Sequence, residues 1–418
     1  VRRRLAALLV ASILLLAVPA SAAPGDLDPS FSGDGIAKPT DGKTPDAVAV
    51  QPDGRIVVVG GGLVTPGLET RAWAMRLLPS GRPDPDFGGG DGFVTMRFSE
   101  EYNWAHDVAI QPNGRIVIVG SSEDSATNQV EMAVVRLTPR GRREPGFGVF
   151  ADFGWQDVVP AAVELRSDGA ILVAGSAFTS TSLGFLVRLL PNGSPDTAFS
   201  RDGHLAFDTQ GQDVFGDVVI APSGRILVGG SVRDQGVGET HAVVAYTSRG
   251  RLDTAFGGDG IASYRTGGVL GGRAIALGPN GSVLVAGLAT SADASQDGAV
   301  VRFTKRGGID RTFDDDGMAP IAVGKAIDET LFDLVVQADG RALAIGDSGR
   351  LLGMVVRLKA TGARDGSFGV ARGASFVQVG NGARLYAGTL DGKGRLVAVG
   401  YGSRGGEQIP IVVRFLTA

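Results

Sequence analysis

The chain of 418 residues contains no cysteine. That removes thiol nucleophiles, thiolate metal sites, a Cys–Tyr copper centre and disulfide staples, so stability must come from burial. Histidine is almost as scarce. His106, His204 and His241 stand in different parts of the chain without the His-x-x-x-His spacing that starts a zinc site. Basic charge is not in excess either, with 40 Lys and Arg against 44 Asp and Glu. Nucleic acid is therefore not an expected partner. No Gly-x-Ser-x-Gly elbow and no phosphate loop occur. The one long apolar run, residues 5–18, is short for a membrane crossing and is not followed by another, so no membrane span is expected.

What is present begins with a leader. "VRRRLAALLVASILLLAVPASA" joins Arg2, Arg3 and Arg4 to an apolar stretch and small residues at Ala20 and Ala22. It reads as a secretory signal peptide over residues 1–22, so residues 23–418 are expected as an exported, extracellular domain. Glycine is the most over-represented residue, 65 of 418. Lacking a Gly-X-Y period, this points to many tight turns between short strands.

The turns recur. A phrase seen as "LDPSFSGDGIA", "PDPDFGGGDGF", "PDTAFSRDGHL", "LDTAFGGDGIA" and "IDRTFDDDGMA" places an aromatic residue at Phe31, Phe87, Phe147, Phe199, Phe256, Phe313 and Phe368. The interval is roughly 56 residues. Two more ladders keep step, "QPDGRIVVVGG" with its turn Gly54 and "VVRLTPRG" with Arg136. Each repeat reads as four short strands parted by Gly, Pro, Asn and Asp, without a helical stripe. Seven such repeats predict an all-β, seven-bladed β-propeller with four antiparallel strands per blade. The chain ends on a third strand, so the stretch Gly35–Lys38 is expected to supply the missing outer strand of the last blade.

The composite of these ladders, carried by "RLDTAFGGDGIA", "QPDGRIVVVGG" and "VVRLTPRG", resembles the delta-60 repeat family of bacterial exported propellers over residues 26–418. The resemblance implies architecture and export, and no reaction. Two copies, "EPGFGVFADFG" and "DGSFGVARGAS", depart from the phrase by losing its Asp-Gly spacing.

The ladders themselves read as architecture. The phrase Phe is expected in the seam between blades, and its leading Asp (Asp28, Asp84, Asp196, Asp253, Asp310) in a bond to nearby backbone N–H. The carboxylate-rich "DPDFGGGDG" and "FDDDG" raise a calcium loop, but the EF-hand order is absent and the turn reading is preferred. No cofactor is expected. The arginines Arg76, Arg136, Arg188, Arg302, Arg357 and Arg414 lie within apolar strands and need partners; Ala245 interrupts their series.

Function is expected on the face formed by loops that do not repeat, such as "GSSEDSATNQVEM", "GSAFTSTSLGF" and "GLATSADASQDGA". Two groups of residues lie there. Trp73, Tyr102, Trp104, His106 and Trp155 could stack on a sugar or dock a protein. Asp107, Asp217 and Asp333, with Glu164, could form a carboxylate site at the channel mouth. The leading expectation is a monomeric, secreted, non-enzymatic module that binds an extracellular glycan or protein. The alternatives are an extracellular hydrolase or lyase using the channel acids, and a structural cell-surface component.

Overall fold

One glycine per repeat closes the turn between first and second strands: Gly54, Gly114, Gly169, Gly224, Gly281, Gly340 and Gly394, all with φ between 76° and 85°. A side chain there would be strained, which is why this ladder never varies. The strands it joins are seen in a computed structural model. It describes residues 22–39, 43–63, 70–98, 102–124, 129–151, 153–178, 180–232, 240–265, 271–290, 296–324, 327–349, 351–370 and 372–418. Residues 1–21, all but the last of the expected leader, and parts of the three non-repeating loops quoted above lie outside the described residues.

Seven four-stranded antiparallel sheets form the blades, and no helix occurs among the described residues. The innermost strands, in order from blade one, are Thr44–Val50, Asn103–Ile110, Val158–Leu165, Val214–Ile220, Gly272–Leu277, Glu329–Val336 and Gly382–Leu390. Each packs beside the next and the last beside the first, closing a ring around a central channel. In blade seven the fourth strand is Ile36–Ala37 from the chain start, paired antiparallel with Val413 and Val412. The ring is thus locked by its own two ends. Prolines at Pro45 and Pro160 sit in inner strands, tolerated because the channel edge of these strands has no partner strand.

The phrase builds the seams. Phe31, Phe87, Phe147, Phe199, Phe256, Phe313 and Phe368 are all buried. A guanidinium lies over each ring at 4.0 to 5.6 Å. The same guanidinium meets the phrase acid, as in Arg76–Asp84 and Arg414–Asp28, both 2.8 Å. Its Nη1 then crosses to a carbonyl of the following blade: Arg76 to Pro139, Arg136 to Pro191, Arg188 to Ser248, Arg302 to Ala360, Arg357 to Thr417 and Arg414 to Pro79. One residue therefore satisfies its own charge, covers a ring and joins two blades.

The gap at Ala245 is filled from elsewhere. Arg225, just before the second strand of blade four, reaches Asp253 at 2.7 Å, the Phe256 ring at 5.6 Å and the Lys305 carbonyl at 3.0 Å. Blade two resolves its missing Asp-Gly differently. Its fourth strand runs through the phrase as Arg143–Ala151, and Glu144 takes the place of the phrase acid against Arg136 at 2.7 Å.

Candidate functional site

Every inner strand carries one β-bulge near its start, on the side where the loops enter. The register breaks at Pro45/Ala47, Ala105/Asp107, Pro160/Ala162, Phe215/Asp217, Gly272/Ala274, Leu331/Asp333 and Leu385/Ala387. The extra residue pushes the preceding carbonyl toward the second strand. There only glycine fits, because a Cβ on Gly60, Gly120, Gly175, Gly230, Gly287, Gly346 or Gly400 would strike that oxygen. A bulge re-aims a side chain. Here the seven bulged residues are Asp46, His106, Ala161, Gly216, Arg273, Phe332 and Tyr386. Together with the residue after each they line a cavity of about 150 Å³ at the channel mouth.

The residue after the bulge alternates. It is Asp107, Asp217 and Asp333 in blades two, four and six, and alanine in the others. Each Asp accepts the N–H of its own next residue and an N–H of the following blade. Asp107 takes Val108 and Val163, both at 2.7 Å; Asp217 takes Val218 at 2.7 Å and Ile275 at 3.0 Å; Asp333 takes Leu334 at 2.6 Å and Gly388 at 2.7 Å. Burial raises all three carboxyls, Asp107 to about 7, against the lowering pull of those N–H groups. For Asp107, the charges of Asp333 and Glu164 add to the rise, and for Asp217 those of Asp333 and Asp107. Glu164 is also raised by burial to about 7, but it lines a separate cavity of about 320 Å³ further along the channel, among Val48, Val108, Val163 and Thr389. Among the described residues no three His, Asp or Glu side chains are placed to hold a metal ion.

The aromatic residues separate. Trp73 is 1% exposed and stacks on Phe93 with ring centroids 5.7 Å apart, so it packs blade one and does not face solvent. The reason is that a third strand is covered on both faces by neighbouring blades. Trp155 packs against Phe153, Phe185 and His204. Tyr102 is 36% exposed and stacks on Trp104 at 6.1 Å. The Trp104 ring lies on Gly61, where a Cβ would collide with it, and its indole N–H donates to Asp46. His106 Nδ1 is 3.6 Å from the same carboxylate, and its Nε2 is 2.8 Å from Ser121 Oγ. Tyr102, Trp104 and His106 thus gather around Asp46, at one side of the mouth.

Across the channel, the Arg273 guanidinium stands over the Phe332 ring at 5.2 Å. Burial lowers its pKa, opposed by the charge of Asp347. Phe332 meets Tyr386 edge-on at 5.1 Å, and Tyr386 lies 5.8 Å from Tyr401. Asp46, Arg273, Phe332 and Tyr386 are absent from the residues singled out by the sequence. A signal existed: the bulged residue precedes the second-strand glycine at the same offset in every blade, as Asp46 does Gly60 and Arg273 does Gly287.

Residues 51–87, 111–147, 166–199 and 278–313 match the model of a β-propeller family described as a domain of unknown function (DUF5122). No curated protein matches the chain. Among solved structures, Sqt1 from Chaetomium thermophilum aligns over 91% of this chain and 98% of its own, at 11% identity and a TM-score of 0.48. The β-propeller domain of the Trilobed protease from Pyrococcus furiosus aligns over 91% and 97%, at 8% identity and 0.48. The soluble aldose sugar dehydrogenase from Escherichia coli, in its apo form, aligns over 90% and 98%, at 11% identity and 0.40. These likenesses carry no inference about activity.

Proposed function

We propose that the chain is an exported, non-enzymatic binding module of the delta-60 kind, monomeric, whose ligand seats over the channel mouth on the loop-bearing face. One observation carries this reading. At the seven bulge positions the backbone environment is the same, yet the residues are acid, imidazole, methyl, hydrogen, guanidinium, phenyl and phenol. Positions that serve the fold repeat, as the seam Phe and the turn Gly do. Positions freed from the fold and aimed into a cavity differ in every blade, which is how a site recognises an asymmetric ligand.

The hydrolase alternative has less support. Asp107, Asp217 and Asp333 are each occupied by two backbone N–H donors, so they serve as clasps between blades two and three, four and five, six and seven. The test is a panel of extracellular sugars, amino acids, peptides and wall polymers, followed by tryptophan fluorescence, since Trp104 is bonded to Asp46. A saturable change lost in Tyr386→Ala and kept in Trp155→Ala supports the mouth. Binding untouched by Tyr386→Ala and by Arg273→Gln, or no binding at all, defeats it.

A further inference from the structure

The chemistry around the mouth is ordered, and the order defines a ligand. In a seven-membered ring, blade five stands opposite the junction of blades one and two. Arg273 of blade five therefore faces Asp46 and His106 across the cavity. The flank between them through blades six and seven is aromatic, Phe332 and Tyr386. The flank through blades three and four is Ala161 and Gly216, with almost no side chain to fill it.

We infer that the mouth binds a small two-ended zwitterion, its anionic group on Arg273, its ammonium group on Asp46 and an apolar middle along Phe332 and Tyr386. This rests on the channel-mouth reading above and assigns its ligand class. Three features carry it. Arg273 is held over Phe332 and presents a fork suited to a carboxylate. Asp46 lines the cavity and is fixed by the Trp104 indole N–H with its side chain 26% exposed, so it meets a cation without reorganising. The cavity, about 150 Å³, is small beside the roughly 300–1,000 Å³ of drug-sized sites, which suits a small ligand.

The test uses ω-amino acids of increasing length, from glycine through β-alanine and γ-aminobutyrate to 5-aminovalerate, titrated calorimetrically into the purified protein. Butylamine and butyrate serve as one-ended controls. One length is expected to bind best, and each control to bind at least about ten-fold more weakly, the worth of one charged hydrogen bond. Arg273→Gln should erase the advantage over butylamine, and Asp46→Asn, which still accepts the indole N–H, the advantage over butyrate. If one-ended compounds bind as well as the zwitterions, or no zwitterion binds while some panel compound does so at the mouth, the ligand class is wrong and the binding site stands. If no compound of either set binds, both proposals fall together.

Discussion

Replacing Asp28 by alanine tests whether the Arg–Asp–Phe seam holds the ring. Asp28 is 4% exposed and Arg414 is 2% exposed. The carboxylate accepts Arg414 Nε and Arg395 Nη1, both at 2.8 Å, with Ser30 N and Oγ at 2.9 and 2.7 Å. Burial pushes the Asp28 carboxyl up, but the Ser30 donors and the Arg414 charge outweigh it and hold the group below its ordinary 3.8. Asp28→Ala leaves Arg414 buried with the Pro79 carbonyl, the Ser30 hydroxyl and the Phe31 ring. Stranding one partner of a buried pair costs about 3–5 kcal/mol. Arg395 keeps Asp391, so its loss adds about 1 kcal/mol at most. The sum is a large share of a stability of roughly 5–15 kcal/mol. Urea unfolding should show the midpoint falling steeply, against a change below about 0.5 kcal/mol for Asp53→Ala, whose carboxylate is half exposed. The pair Asp28→Leu with Arg414→Met should recover most of the loss, because no bare charge then remains. Equal effects of Asp28→Ala and Asp53→Ala would refute the argument.

Three further outcomes are expected. The folded Asp107 carboxyl titrates near 7, the unfolded one near its ordinary 3.8. The folded state therefore holds the extra proton, and this stabilisation is full below about pH 4 and lost as pH rises through 7. Its ceiling is about 4 kcal/mol at roughly 1.36 kcal/mol per pKa unit, less whatever channel water screens. Urea midpoints of Asp107→Asn should fall less between pH 5 and 8 than those of the parent; superimposable profiles would contradict the assignment. Gly120→Ala should cost about 1–3 kcal/mol by driving a methyl into the Trp104 carbonyl and the Phe98 ring. Gly89→Ala, with open space around it, should change the melting temperature little. Deleting residues 23–37 removes Phe31, Asp28 and the locking strand, and should lower the midpoint of a single cooperative transition; an unchanged midpoint would show that the ring closes without its lock.

The fold was legible because its parts repeat in phase with the turns. The blade count follows from the phrase, and the closing strand from the phrase standing first and a third strand standing last. Blade two was not legible, because losing Asp-Gly removes a turn and lets the strand Arg143–Ala151 continue, a choice made by pairing across the sheet. Arg225 was hidden in another way: it stands just before the second strand, and only the fold brings it to the place vacated at Ala245. Trp73 read as a surface aromatic because alternation assigns outward positions only where one face of a sheet is free. The bulges were hidden for a related reason. A bulge is a property of hydrogen-bond register, so Arg273, Phe332 and Tyr386 look like ordinary strand residues until the pairing of their neighbours leaves them without a partner.

Seven blades offer seven samples of one environment, which separates the demands of folding from those of recognition. At the seam all samples agree on Phe, and where one arginine is missing another arrives, so the selected quantity is the guanidinium and its three partners. Beside the bulge the samples fall into two kinds, Asp and Ala, in strict alternation from Ala47 to Ala387. That pattern has a geometric cause, since each Asp reaches forward to the next blade and the blade it reaches carries alanine at the corresponding position. An odd ring cannot alternate all the way round. The defect falls where Ala387 and Ala47 are neighbours, between blades seven and one, and there the two chain ends supply the Ile36–Ala37 pairing and the Arg414 crossing to Pro79. At the bulge itself no two samples agree. Those seven differing side chains share one cavity, which is where a ligand without seven-fold symmetry would find its contacts.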